Sequence, residues 1–191
     1  MKTVVLWHRL DITGCESALL EGVTGGWKLS GTAVFQDGHQ PCGLGYAIYC
    51  DEHWRTQSAI VFGHMGTSPC HYEIEVAEGA WYINGTAHPQ TEGCIDIDLG
   101  FSPSTNLLPI RRLSLAEGES AATKAAWLRF PSMSLVPAEQ VYTRLAGTQY
   151  RYESLESGFT TVLETNSDGF VTSYPGIWNA EGAANKRSAA R

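Results

Sequence analysis

Clustered basic residues are missing from this chain. Its 13 Lys and Arg face 20 Asp and Glu, for a formal charge of -7, so the electrostatic footprint that neutralises nucleic-acid phosphates or anionic membranes is not there. Long apolar runs are missing too. After Lys2, the stretch Val4-Val5-Leu6-Trp7 stops at His8 and Arg9, well short of a secretory core or a membrane span. A cytoplasmic protein that does not span a membrane is expected. Cys15, Cys42, Cys50, Cys70 and Cys94 form no C-x-x-C pair, and an odd number of cysteines in an unexported chain predicts reduced, mostly buried thiols. His64, Cys70 and His71 match no metal-ligand spacing. A G-x-S-x-G elbow, a phosphate loop and a dinucleotide fingerprint are also lacking, so neither a metal nor a cofactor is expected.

What is present is strand signal: aromatic and β-branched runs broken every ten or so residues by Gly, Asx or Pro. Asp37-Gly38, Asn84-Gly85 and Asp168-Gly169 each sit between such runs, where Asx-Gly supplies the positive φ of a tight hairpin. Asn84-Gly85-Thr86 also spells a glycosylation sequon, but the hairpin is the better reading. Further strands are expected at Val4-Arg9, Ser17-Glu21, Lys28-Phe35, Gly45-Cys50, Ser58-Met65, His71-Ala77, Ala125-Phe130, Gln140-Leu145, Gln149-Leu155 and Thr160-Glu164. Together these predict a mostly β protein built as an antiparallel meander. One helix is expected, beginning just after Pro103, with Ser104 or Thr105 as its cap and Pro109 in its first turn. Leu107, Leu108, Ile110, Leu113 and Leu115 cover most of its circumference, so a sheet must wrap it. A length of 191 residues suits a single domain, placed at 1–178, with 179–191 as a flexible C-terminal tail.

The chemistry concentrates between Gly93 and Leu115. In Cys94-Ile95-Asp96-Ile97-Asp98-Leu99 the alternation puts Asp96 and Asp98 on one strand face, ~6.6 Å apart at Cα. Two carboxylates on one face repel unless donors or cations attend them, and Arg111 and Arg112 on the helix are the natural suppliers. Ser102 to Asn106 adds donors and acceptors, Thr105 and Asn106 among them, beside the helix N-terminus. Asp51 and Arg55 flank a turn and are expected to form another pair. Cys94 reads as a packed thiol, since neighbouring carboxylates suppress the thiolate. Trp7/Arg9 and Trp127/Arg129 each put a ring and a guanidinium on one face, suited to stacking a sugar or to a cross-strand ladder, the latter preferred.

Trp7-x-Arg9, Gly31-Thr32-Ala33, Cys50-Asp51 before Trp54-Arg55, GCIDIDLGFSPSTNLLPIRRL, Trp127-x-Arg129-x-Pro131, Gln140-x-Tyr142, and Gly169-Phe170-Val171 with Tyr174-Pro175-Gly176 together resemble the "putative glycolipid-binding" family. The match runs over nearly the whole chain to about Trp178. The resemblance implies a large antiparallel sheet curled as a spiral β-roll around a single α-helix, a homodimer, and an acidic pocket. By position, Asp96 and Asp98 match that pocket, with Asp51, Arg55, Arg111 and Arg112 around it.

Three functional readings stand at this point. The leading one is a protein that holds the sugar head of a glycolipid, with no reaction catalysed. The second is a hydrolase in which Asp96 and Asp98 divide acid and base duties on a glycosidic or ester bond. The third is a protein-interaction module whose ion pairs merely fasten the helix to the sheet.

Overall fold

The computed structural model describes residues 2–182. Eight strands follow one another from the N-terminus: β1 (Lys2–Arg9), β2 (Gly14–Val23), β3 (Gly26–Asp37), β4 (Gln40–Asp51), β5 (Thr56–Met65), β6 (Ser68–Ala77), β7 (Ala80–Ile83) and β8 (Thr86–Ala87). After β9 (Asp96–Leu99) and helix α1 (Leu107–Leu113) come β10 (Ser120–Arg129), β11 (Ser134–Arg144), β12 (Gln149–Ser154), β13 (Phe159–Thr165), β14 (Val171–Tyr174) and β15 (Trp178–Ala180). All fifteen join one sheet in the order β8 to β1, then β15 down to β9. The outward meander and the return meander therefore meet where β1 pairs with β15. The expected boundary at residue 178 falls at the start of β15, and residues 183–191 of the expected tail lie outside the described residues.

The turns follow their residues. Asn84 and Gly85 adopt φ of 48° and 75° between β7 and β8, the paired left-handed geometry that closes a two-residue hairpin without splaying its strands. Asn84 Oδ1 also accepts the Glu73 N–H at 2.8 Å, so the sequon asparagine is built into the turn. Before Gly169, Asn166 Oδ1 accepts the N–H groups of Asp168 and Phe170, an Asx turn that returns β13 to β14.

The sheet does not close; β8 and β9 are its two edges. Only eight residues, 88–95, separate them in sequence, and at ~3.5 Å per residue the edges must be near each other. The chain uses that reach to tuck β9 inside the roll. Thr56 N donates to Ile95 O at 3.3 Å, and Ile97 N donates to Thr56 Oγ1 at 3.0 Å. One face of the inner strands is thereby packed into the main core: Ile97, Leu99, Ala126, Leu128 and Leu135 are buried against Leu20, Leu44, Ile48 and Trp81. Side chains of this size stabilise by roughly 1.5–3 kcal/mol each when fully buried.

The expected mostly β fold, one large sheet with a single short helix, is what the chain adopts, and two details differ. The sheet is mixed, because β9 runs parallel to β10 while every other pair among the described residues is antiparallel. Helix α1 is also shorter than its apolar pattern. A 3-10 turn at Ser104–Asn106 precedes it, and neither turn nor helix has a side-chain cap. Ser104 and Thr105 bond elsewhere, and Leu115 lies past Ser114, which ends the helix with φ of 46°. The wrapped position holds: Leu107 and Leu108 enter the main core, while Ile110 joins a second cluster with Tyr142, Tyr150 and Leu163.

Candidate functional site

β9 presents Asp96 and Asp98 on one face as its alternation requires, but the structure gives them different surroundings. Asp96 is 1% exposed and receives a two-point contact from Arg112, Nε to Oδ1 at 2.9 Å and Nη2 to Oδ2 at 2.6 Å. Thr123 on β10 completes this cluster, donating to Asp96 at 3.2 Å while accepting from Arg112 at 2.6 Å. A buried carboxylate so enclosed has little capacity left for a ligand. Asp98, one pleat along, meets only neutral donors: Gln140 Nε2 at 2.8 Å and Thr105 Oγ1 at 3.4 Å. Burial raises its pKa to about 6.

Asp98 opens onto a cleft of about 180 Å³ at the join of the two meanders. β9 pairs with β10 so that Trp127 sits beside Asp98, and Gln140 and Tyr152 follow on β11 and β12. From the opposite side, Arg9, Tyr174 and Trp178 close the wall, and Ser102 and Asn106 form an end. Arg9 is held by Asp11 through Nε at 3.0 Å and Nη2 at 2.7 Å, and its guanidinium lies 4.8 Å from the Trp178 ring centre. Such a mixture of indole and phenol faces with hydroxyl, amide and carboxylate groups suits a polyhydroxylated ring.

Beneath Ser102 lies a buried polar ring. Glu16 is completely buried. Its Oε1 lies 2.5 Å from Ser102 Oγ and 2.6 Å from Tyr46 Oη, and Ser104 Oγ closes the circuit at 2.7 Å from both Tyr46 Oη and Ser102 Oγ. Four oxygens make four contacts, but three hydroxyls supply only three protons. A proton on Glu16 provides the fourth. That count agrees with burial raising the Glu16 pKa to about 7, and with Oε2 lacking a partner among the described residues: an unbonded neutral carbonyl is far less costly than an unbonded carboxylate oxygen. Gly31 makes room for the ring, since a Cβ there would stand 2.4 Å from Tyr46 Oη.

Of the eight residues expected at the site, Asp98 and Asn106 line the cleft. Asn106 accepts from Tyr142 Oη at 2.9 Å and donates to Pro103 O. Thr105 stands behind Asp98, and Asp96 and Arg112 form the closed cluster. The expected Asp51–Arg55 ion pair is replaced by a turn: Asp51 Oδ1 accepts the backbone N–H groups of His53 and Arg55 at 2.9 Å. The side chain of Arg55 instead borders an open surface depression with Trp54 and Arg112. Arg111 does not attend Asp98; it lies 5.1 Å from the Trp54 ring centre.

Of the two aromatic and arginine pairs, the first is split and the second stacks. Trp7 is buried with Nε1 donating to Val171 O at 2.6 Å, whereas Arg9 reaches the cleft. Trp127 lines the cleft while Arg129 covers its ring from 4.8 Å. Cys94 is packed and its thiol pushed up to about 11 by burial. Four of the five thiols are buried, Cys15 being exposed. Among the described residues no group of three His, Cys, Asp or Glu could hold a metal ion, and no helix is long and apolar enough to cross a membrane. Residues not anticipated are Glu16, Tyr152, Tyr174 and Trp178. Glu16 carried a readable sign, because it shares the buried face of β2 with Ala18 and Leu20.

Comparison with known proteins agrees with the fold. A DUF1089 family protein from Pseudomonas aeruginosa, known from its crystal structure, is 32% identical over 87% of this chain and 91% of its own, with a TM-score of 0.77. No curated protein matches. The sequence family described as "Putative glycolipid-binding" matches residues 4–180, and the chain belongs to that family.

Proposed function

We propose that the cleft holds the sugar head of a glycolipid, with Asp98, Gln140, Asn106 and Ser102 as its hydrogen-bonding groups and Trp127 or Trp178 as its stacking face. The observation carrying this reading is the placing of one open carboxylate among four aromatic side chains in a cleft of about 180 Å³, room for a single sugar ring. The tail would leave over Phe159, which is 40% exposed and packs beside Tyr152 and Tyr174 at the rim. The family description points the same way. A paired-aspartate hydrolase is disfavoured because Asp96 is closed off by Arg112 and Thr123. Asp98 is the one carboxylate among the described residues lining the cleft.

Solvent extraction of purified protein followed by mass spectrometry should release a sugar-bearing lipid, in lower yield from Trp127→Ala. Repeated absence of any lipid, together with no thermal shift on adding glycolipids, would overturn the reading. The homodimer is proposed through the outer face of β1–β5. There Leu6, Ser17, Thr32, Gly45 and Phe62 align across five strands, flanked by the exposed Val4 and Val34. The aligned positions carry no charged side chain, which supports a contact between two copies there.

A further inference from the structure

No ion pair to Asp98 forms among the described residues. Arg112, the nearby helix cation, spends two contacts on Asp96. Arg9, the one cation among the described residues of the cleft wall, is held by Asp11 at 2.7 Å and lies over Trp178. Gln140 and Thr105 donate to the Asp98 carboxylate but leave its charge uncompensated. Around it stand Trp127, Tyr152, Tyr174 and Trp178, and the faces of such rings attract cations. The Tyr174 hydroxyl and the Trp127 indole N–H have no protein partner among the described residues. A neutral sugar satisfies hydrogen bonds here but leaves the charge standing. A protonated amine cancels it and gains the ring faces as well.

On the reading of the cleft as a head-group site, we propose that it selects a head bearing a protonated primary amine beside its hydroxyls, with the ammonium on Asp98 and the rest against Trp127. Two sources share this chemistry, a 2-amino-2-deoxy sugar and an ethanolamine head. Tyr142, Tyr152, Tyr174 and Asp96 also face Asp98 electrostatically. Burial raises the pKa of each of the three tyrosines and Asp96 is already paired with Arg112, so none competes with the amine. Burial holds the Asp98 pKa at about 6, leaving it ionised above that pH.

The test is an NMR titration of the full chain with methyl glucosaminide, its N-acetylated form, methyl glucoside and ethanolamine. The amino sugar should bind about tenfold or more tightly than both neutral sugars at pH 7.5, the size expected of one charge pair. That preference should vanish in Asp98→Asn and should fade in the unaltered protein as the pH falls below 6. The pH arm stands even if the variant does not fold. Tighter binding of ethanolamine than of the amino sugar would support the amine and assign it to a lipid ethanolamine. Equal binding of neutral and amino sugars would overturn the amine proposal and leave the sugar-head reading intact. No response at cleft resonances to any probe would overturn both.

Discussion

Replacing Glu16 by Gln probes the buried ring beneath the cleft through the pH dependence of stability. Below pH 4.5 the carboxyl is protonated in both folded and unfolded chains and contributes no slope. Between 4.5 and about 7 the unfolded chain has released the proton while the native ring keeps it. Native protein then binds more protons, and stability falls as pH rises, at ~1.36 kcal/mol per pH unit. Across that interval the loss comes to about 3 kcal/mol and then levels off. Asp98, also raised by burial, adds a slope of the same sign at lower pH in both proteins, so the difference between the two curves isolates Glu16. Glu16→Gln still offers a carbonyl to Ser102 and Tyr46 but buries an unbonded amide group, for a loss of roughly 1–3 kcal/mol in acid. Urea unfolding at half-unit steps from pH 4 to 8.5 should therefore show the variant less stable in acid and nearly equal above pH 7. Parallel curves across the whole range would refute the shared-proton account of the ring.

Arg112→Ala strands the Asp96 carboxylate in the interior and should lower unfolding free energy by about 3–5 kcal/mol in urea melts at pH 7. Gly31→Ala drives a methyl to 2.4 Å from Tyr46 Oη and 2.7 Å from Ser17 O, and thermal melts should register a loss of ~1–3 kcal/mol. Phe62→Glu puts a charge at the middle of the uncharged outer face. Light scattering after size exclusion should report a dimer for the unaltered chain and a monomer for this variant.

Local chemistry made much of the fold readable. Asn84-Gly85 marked its hairpin because few other pairs tolerate two successive positive φ angles. Leu107, Leu108 and Ile110 marked a wrapped helix because only a surrounding sheet can bury apolar residues on so much of its circumference. Strand lengths were underestimated where breakers sit inside strands. The strand expected at Gln140–Leu145 begins at Ser134 and runs through Pro137; β12 pairs with β11 only from Gln140 onward, so that side of Pro137 has no ladder to disrupt. The parallel pairing of β9 left no trace in sequence, because alternation looks the same in either direction.

The candidate site was half legible for a related reason. Alternation correctly put Asp96 and Asp98 on one face, but what separates them is who stands opposite: Arg112 and Thr123 for one, Gln140 and Thr105 for the other. Gln140 comes from a strand more than forty residues away, and β14 and β15 bring Tyr174 and Trp178 from farther still. Asp51 misled because a short-range Asp and Arg pair has the same spacing as an Asx turn, and the backbone N–H groups won.

The six tryptophans occupy distinct surroundings, which makes their indole N–H signals a direct reading of where a ligand sits. Trp127 and Trp178 line the cleft, Trp7 and Trp81 are buried with their indoles bonded to Val171 O and Cys94 O, and Trp27 stacks on Trp54 away from it. Nitrogen-15 spectra recorded while a short-chain glycolipid is added should show the Trp127 and Trp178 indoles moving together and saturating, with the other four nearly still. Movement at Trp27 and Trp54 instead, or at no indole, would contradict the assignment of the cleft as the head-group site.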